Sequence, residues 1–195
     1  INDGYQQVVI LGAGFDTRAY RFKNNQNIQF IEVDLPKLQI EKRKKVKQTL
    51  GEEPKNVAYV PLDFNTQVLT ALLQADAFDT SKPTYFSWEG VSYYLSPKGV
   101  DATLQFVAEH TAPNSKILFD YMPASMISGA VDYYGGAQSR SYMAEFGEPV
   151  IFGIPDGQID QFLAQRGLSV CNDLGPEALA ERYLRRADGI IDGRV

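Results

Sequence analysis

The stretch Val8-Val9-Ile10-Leu11-Gly12-Ala13-Gly14-Phe15-Asp16-Thr17-Arg18 constrains this chain more than any other. An apolar run ending in Gly-x-Gly reads as a buried strand that turns sharply, with a backbone bare enough for close approach. Strand-length apolar runs then alternate with amphipathic stretches of helix length. Strands are expected at 8–11, 28–34, 56–64, 84–88 and 116–121, with a weaker one at 168–171. Helices are expected at 17–22, 36–50, 66–75 and 157–166, and from a Ser96-Pro97 start through His110. This β-α-β-α order predicts a doubly wound, mostly parallel α/β sheet whose strand C-termini form a ligand rim. At 195 residues and 44% hydrophobic content, one domain with a sizeable core is expected over 1–195. The stretch 124–155, rich in Gly, Ser and Tyr, is too long for a plain connection and is expected to cap the rim.

The glycine turn raises the question of its ligand. A dinucleotide fingerprint is G-x-G-x-x-G, and here Thr17 stands in the third glycine's place. Glu32 and Asp34 lie 20 and 22 residues after Gly12, the spacing of a carboxylate that takes ribose hydroxyls. Asp34 sits at the rim and is the expected ribose ligand, with Ala13 and Leu35 flanking the site and Glu32 behind it. Asp63, followed by Phe64, ends the third strand, and its carboxylate suits an adenine amino group. Glu89 follows the fourth strand. Three acids around the turn would repel a pyrophosphate and suit a nucleoside that carries a cation, such as S-adenosyl-L-methionine.

Charge and composition remove other classes. A net charge of −5 argues against a nucleic-acid partner. The basic run 41–47, "EKRKKVK", reads as a solvated helix face. No apolar run reaches membrane-spanning length, and no metal site is expected. One cysteine, Cys171, cannot form an internal disulfide, which points to a cytoplasmic setting. The chain begins without Met and its first strand starts at once, so a preceding segment is expected. Oligomeric state is left open.

"LGAGFDTRAYRF", "EVDLP", "LDF" and "EGVSYYL", in this order, resemble the leucine carboxyl methyltransferase-like family of S-adenosylmethionine-dependent O-methyltransferases, in its bacterial small-molecule branch. "GEPVIFGIP" and "ERYLRRADG" extend the resemblance. It implies a Rossmann-like class I methyltransferase core and S-adenosyl-L-methionine as cofactor. The Gly12–Gly14 turn is then placed at the methionine part, Asp34 at the ribose, Asp63 and Phe64 at the adenine, and Glu89 at the amino end. It also implies a helical segment before the first strand and a last antiparallel strand, neither of which is expected within 1–195.

The expected reaction is methyl transfer to a carboxylate or hydroxyl of a small molecule. A carboxylate acceptor is already ionised at pH 7, whereas a hydroxyl needs a base. Glu89 and Tyr93 are the candidate catalytic groups; His110 falls at the helix end away from the rim. Tyr94, Tyr133, Tyr134, Tyr142, Phe146 and Phe152 either line a substrate cleft or form the cap's own core. Arg18 either attracts an acidic substrate or makes a surface ion pair. A nicotinamide-dependent oxidoreductase is the rival enzyme, with Tyr94 and Lys98 in Tyr-x-x-x-Lys spacing. Pro97 breaks the helix that such a pair requires. A non-catalytic protein that binds cofactor or a partner is the other alternative.

Overall fold

Five strands, β1 (Gln7–Leu11), β2 (Gln29–Asp34), β3 (Val57–Pro61), β4 (Thr84–Trp88) and β5 (Lys116–Phe119), form one parallel sheet in a computed structural model. Their spatial order is β3-β2-β1-β4-β5. The structure describes residues 4–21, 27–131, 133–186 and 189. Phe22, at the end of the first expected helix, and the closing residues 190–195 lie outside the described residues. The helices are α1 (Arg18–Arg21), α2 (Pro36–Leu50), α3 (Pro97–His110), α4 (Ala124–Ser128), α5 (Gly136–Glu145), α6 (Ile159–Ala164) and α7 (Pro176–Tyr183). None of them is long and apolar enough to cross a membrane.

Alternation along the strands divides the core into two layers. Val9, Leu11, Ile31, Val33 and Phe86 pack with Val100, Leu104 and Val107 of α3 and Leu163 of α6. Ile10 and Phe30 point the other way, to Ala19 and Tyr20 of α1 and Val46 of α2. Helices thus cover both faces, as expected for a doubly wound sheet. The register sets Leu11 beside Val33, and Val33 beside Val60, so β1, β2 and β3 end level on one rim. The order turns at β1, between β2 and β4, and such a switch point opens a crevice at the strand ends.

Several local expectations are corrected. The helix expected at 66–75 is a short 3₁₀ turn, Leu69–Gln74. β3 ends at Pro61 on the sheet edge, where its missing N–H faces away from β2; Leu62 N–H still donates to Asp34 O at 2.8 Å, and the chain turns from Asp63 on. The segment 168–171 pairs with no strand among the described residues, although its apolar Leu168 and Val170 still pack on the core. Within 124–155, α4 and α5 form where no helix was expected, and α7 was not foreseen either. That segment's two ends are tied together at the rim: Ala124 N–H donates to Ile154 O at 2.8 Å, and Ile154 N–H to Met122 O at 2.9 Å.

The α3 start follows its sequence closely. Ser96 Oγ accepts from Gly99 N–H at 3.2 Å, with Pro97 in the first turn. Ser96 N–H also donates to Asn65 Oδ1 at 2.9 Å, tying this helix to the turn after β3. Ser96→Ala is expected to lower unfolding free energy by about 1 kcal/mol. Urea titration checks this, and an unchanged midpoint would show that the cap adds nothing.

Candidate functional site

The turn after β1 is built almost wholly from internal hydrogen bonds. Gly12 and Ala13 N–H both donate to Val33 O, at 2.8 and 3.2 Å, and Asp16 N–H donates to Ala13 O at 2.8 Å. Gly14 N–H donates to Asp34 Oδ2 at 2.5 Å. A loop that cradled a phosphate would hold such amides outward for the anion. Here the amides of Gly12, Ala13, Gly14 and Asp16 are all committed within the protein.

Asp34 is held at both oxygens, since Leu35 N–H donates to Oδ1 at 2.6 Å. The register explains the meeting: Leu11 and Val33 are partners, so the residues just beyond them converge. A carboxylate offers about four acceptor sites, and these two amides fix its plane while using about half. Beside it Leu35 is 47% exposed, an apolar residue on the rim. Asp63 lies in the turn beyond β3. Its Oδ1 accepts from Asn65 N–H, and its own N–H donates to Gln67 Oε1, both at 2.9 Å. The Phe64 ring is buried in the main core, so its backbone is the part that a rim ligand can meet.

Glu89 is not a bare acid. Its Oε1 accepts from Ser87 Oγ and from Arg18, each at 2.6 Å. Arg18 also clasps Asp16 through its side chain and its backbone N–H, at 2.6 and 2.7 Å. Arg18 therefore makes an ion pair rather than standing open to substrate, and it offsets part of the expected negative charge. The pair holds the Asp16 carboxyl below its ordinary value against the opposing effect of burial. One acid escaped the sequence reading: Asp120, just past β5, accepts from Gly90 N–H at 2.8 Å. It follows the same pattern of an acid after a strand. Burial, together with Asp120, raises the Tyr93 phenol above its usual 10.0, so it stays protonated at neutral pH. Tyr93 O accepts from Ile151 and Phe152 N–H at 2.8 and 3.2 Å, fastening the 124–155 segment beside Glu89.

The aromatics of that segment divide. Phe152 is buried in the main core. Tyr142 and Phe146 contact each other with centroids 4.7 Å apart and, like Tyr134, are exposed. His110, at the far end of α3, faces Glu109 at 4.0 Å.

The basic run contains a further correction. Lys42 is 3% exposed and forms an ion pair with Glu32 at 2.8 Å, Glu32 being 0% exposed. Lys42 Nζ also donates to Ala13 O at 3.2 Å, and Tyr20 O–H to Glu32 Oε2 at 3.0 Å. Glu32 thus lies behind the turn, as expected, but pairs with a lysine read as solvated. Burial pushes the Glu32 carboxyl up, while Lys42 and Tyr20 pull it back.

The sequence profile of leucine carboxyl methyltransferase matches residues 1–108. YktD of Bacillus subtilis, which carries the provisional name of an S-adenosyl-L-methionine-dependent methyltransferase, is 30% identical over 92% of this chain and 59% of its own length. A Mycolicibacterium gilvum protein of the same provisional name is 35% identical over 71% of this chain and 43% of its own. The chain thus spans about half the length of these relatives. Among solved structures, the O-methyltransferase NcsB1 from neocarzinostatin biosynthesis, in complex with S-adenosyl-L-homocysteine and a dihydroxynaphthoic acid, superposes with TM-score 0.55. At 15% identity over 86% of this chain and 45% of that one, it supports the fold alone.

Proposed function

The chain belongs to the leucine carboxyl methyltransferase family, and from that premise we propose an S-adenosyl-L-methionine-dependent methyltransferase that modifies an oxygen of a small molecule. The observation that carries this reading is the inward commitment of the turn amides, with the Asp34 carboxylate standing where a phosphate nest would otherwise be. That arrangement withholds those four amides from a pyrophosphate and offers ribose hydroxyls an oriented acceptor pair. The relatives' provisional names support the choice of cofactor.

When bound, the cofactor supplies an electrophilic methyl group on a sulfonium. The residues of this chain do the rest. Asp34 accepts the ribose hydroxyls while Leu35 gives the nucleoside an apolar surface. Asp63 accepts from the adenine amino group, and the backbone after it meets the ring. Gly14 leaves the turn open above β1, and Glu89, oriented by Ser87 and Arg18, faces the cationic amino end. In-line displacement gains most of its rate from such positioning. Tyr93, kept protonated beside Asp120, is unsuited to removing the acceptor's proton. The 124–155 segment, fastened at Tyr93 and closed on itself at Ala124 and Ile154, covers the cleft and excludes water.

With no histidine at the rim and Tyr93 held protonated, a carboxylate acceptor is favoured, because it needs no base. A hydroxyl acceptor would place the proton on Glu89.

Calorimetry with S-adenosylhomocysteine and NAD tests the cofactor. The first is expected to bind and the second not; preference for NAD would overturn the reading. Labelled-methyl transfer to a metabolite panel, followed by mild base, tests the acceptor. Methanol release marks an ester, and retained label marks an ether and removes the carboxylate preference.

A further inference from the structure

A single peptide plane lies at the centre of this site. A trans peptide directs its C=O and N–H to opposite sides. In the Ala13–Gly14 peptide the C=O meets the Lys42 ammonium at 3.2 Å, and the N–H meets Asp34 Oδ2 at 2.5 Å. Rotating this plane would break both contacts together. Lys42 is itself fixed, by Glu32 at 2.8 Å and with its ammonium 5.5 Å from the Tyr20 ring centroid. Tyr20 in turn bonds to Glu32 and to the Tyr59 hydroxyl, each at 3.0 Å.

We propose that Lys42 is a positioning residue for the nucleoside site: it fixes the Ala13–Gly14 peptide, whose N–H holds the Asp34 carboxylate toward the rim. The proposal rests on reading Asp34 as the ribose ligand. The composition of α2 supports it. The buried residues of α2 are Gln39, Lys42 and Val46, so two of its three inward side chains are polar. Gln39 is occupied with the Glu32 and Val60 carbonyls, at 2.8 and 3.1 Å. Apolar side chains in place of a buried ion pair are often at least as stabilising. Stability alone therefore gives this helix no reason to bury a lysine. The Ala13 carbonyl already holds Asp16 N–H, and Lys42 adds a second, charged donor to it from the buried side. Glu32 Oε1 is buried without a partner among the described residues, so that carboxylate depends on Lys42 and Tyr20.

The test uses the full-length protein and two variants. Lys42→Met alone would strand the Glu32 charge, so the ion pair is removed together. Lys42→Met/Glu32→Gln removes both charges and keeps an acceptor for Tyr20. Val46→Ala damages the same helix without touching the peptide. Two readouts are taken: exchange of the Gly14 amide proton by NMR, and affinity for S-adenosylhomocysteine by calorimetry. The double variant is expected to melt near the parent temperature, with Gly14 exchange accelerated at least tenfold and affinity reduced at least tenfold. Val46→Ala is expected to lower the melting temperature while changing both readouts by less than about twofold. Unchanged exchange or unchanged affinity in the double variant overturns the proposal, as does an equal loss in Val46→Ala. A parent that binds no S-adenosylhomocysteine overturns the proposed function instead, and Gly14 exchange still decides whether Lys42 sets the peptide.

Discussion

Asp34→Ala is expected to weaken S-adenosylhomocysteine binding by about 10- to 150-fold, the loss of one charge-assisted hydrogen bond worth about 1.5–3 kcal/mol. The upper end is favoured, because both oxygens of Asp34 are oriented by backbone amides and can serve two hydroxyls. The substitution also leaves the Gly14 and Leu35 amides without their acceptor, which lowers stability and disturbs the turn. Asp34→Asn separates these effects. Its oxygen can still serve one amide, while its NH₂ opposes the other donor, so its binding loss should approach that of alanine with a smaller fall in melting temperature. Calorimetry and thermal melting on the two variants check both statements. Affinity within about twofold of the parent in Asp34→Ala would remove Asp34 from the ribose site.

The elements legible in the sequence are those that local chemistry sets alone. β1, β4, α2 and α3 carry their signals in short spans: an apolar run, a Pro in the first helical turn, a Ser cap. The rim position of Asp34 was legible because strand alternation and a fixed spacing to Gly12 place it there. The failures share another cause, since each depends on what lies across space. The 168–171 run has a strand's composition and finds no partner edge among the described residues. Lys42 sits among basic residues in a helix, and spacing from Gln39 and Val46 puts it on the inner face only if a polar inner face is admitted. Arg18 looks free in sequence because its acceptors are Asp16, two residues away, and Glu89, 71 residues away. Asp120 could have been found, since it stands at the C-terminal end of a strand as Asp34 and Glu89 do.

The two turn glycines now have different reasons, and substituting each should separate them. Both have left-handed backbone, φ +68° at Gly12 and +40° at Gly14, which costs a residue with a side chain about 1–2 kcal/mol. A Cβ on Gly12 would lie 2.3 Å from Val91 Cγ2, an overlap that the loop after β4 must move to relieve. A Cβ on Gly14 would meet nothing within 4 Å. Close approach at Gly12 is thus made by the protein itself, and the open side of the turn is at Gly14. Gly12→Ala is expected to destabilise by about 2–5 kcal/mol, adding an overpacking cost of about 1–3 kcal/mol to the backbone cost. Gly14→Ala should cost only the backbone part in stability but weaken S-adenosylhomocysteine binding, because its methyl group enters the space left for the ligand. Adding Val91→Ala to Gly12→Ala should recover part of the overpacking cost and none of the backbone cost. Denaturant unfolding and calorimetry on these variants decide the matter. Equal stability losses at the two positions would mean that the contact with Val91 relaxes freely, and that both glycines serve only the turn.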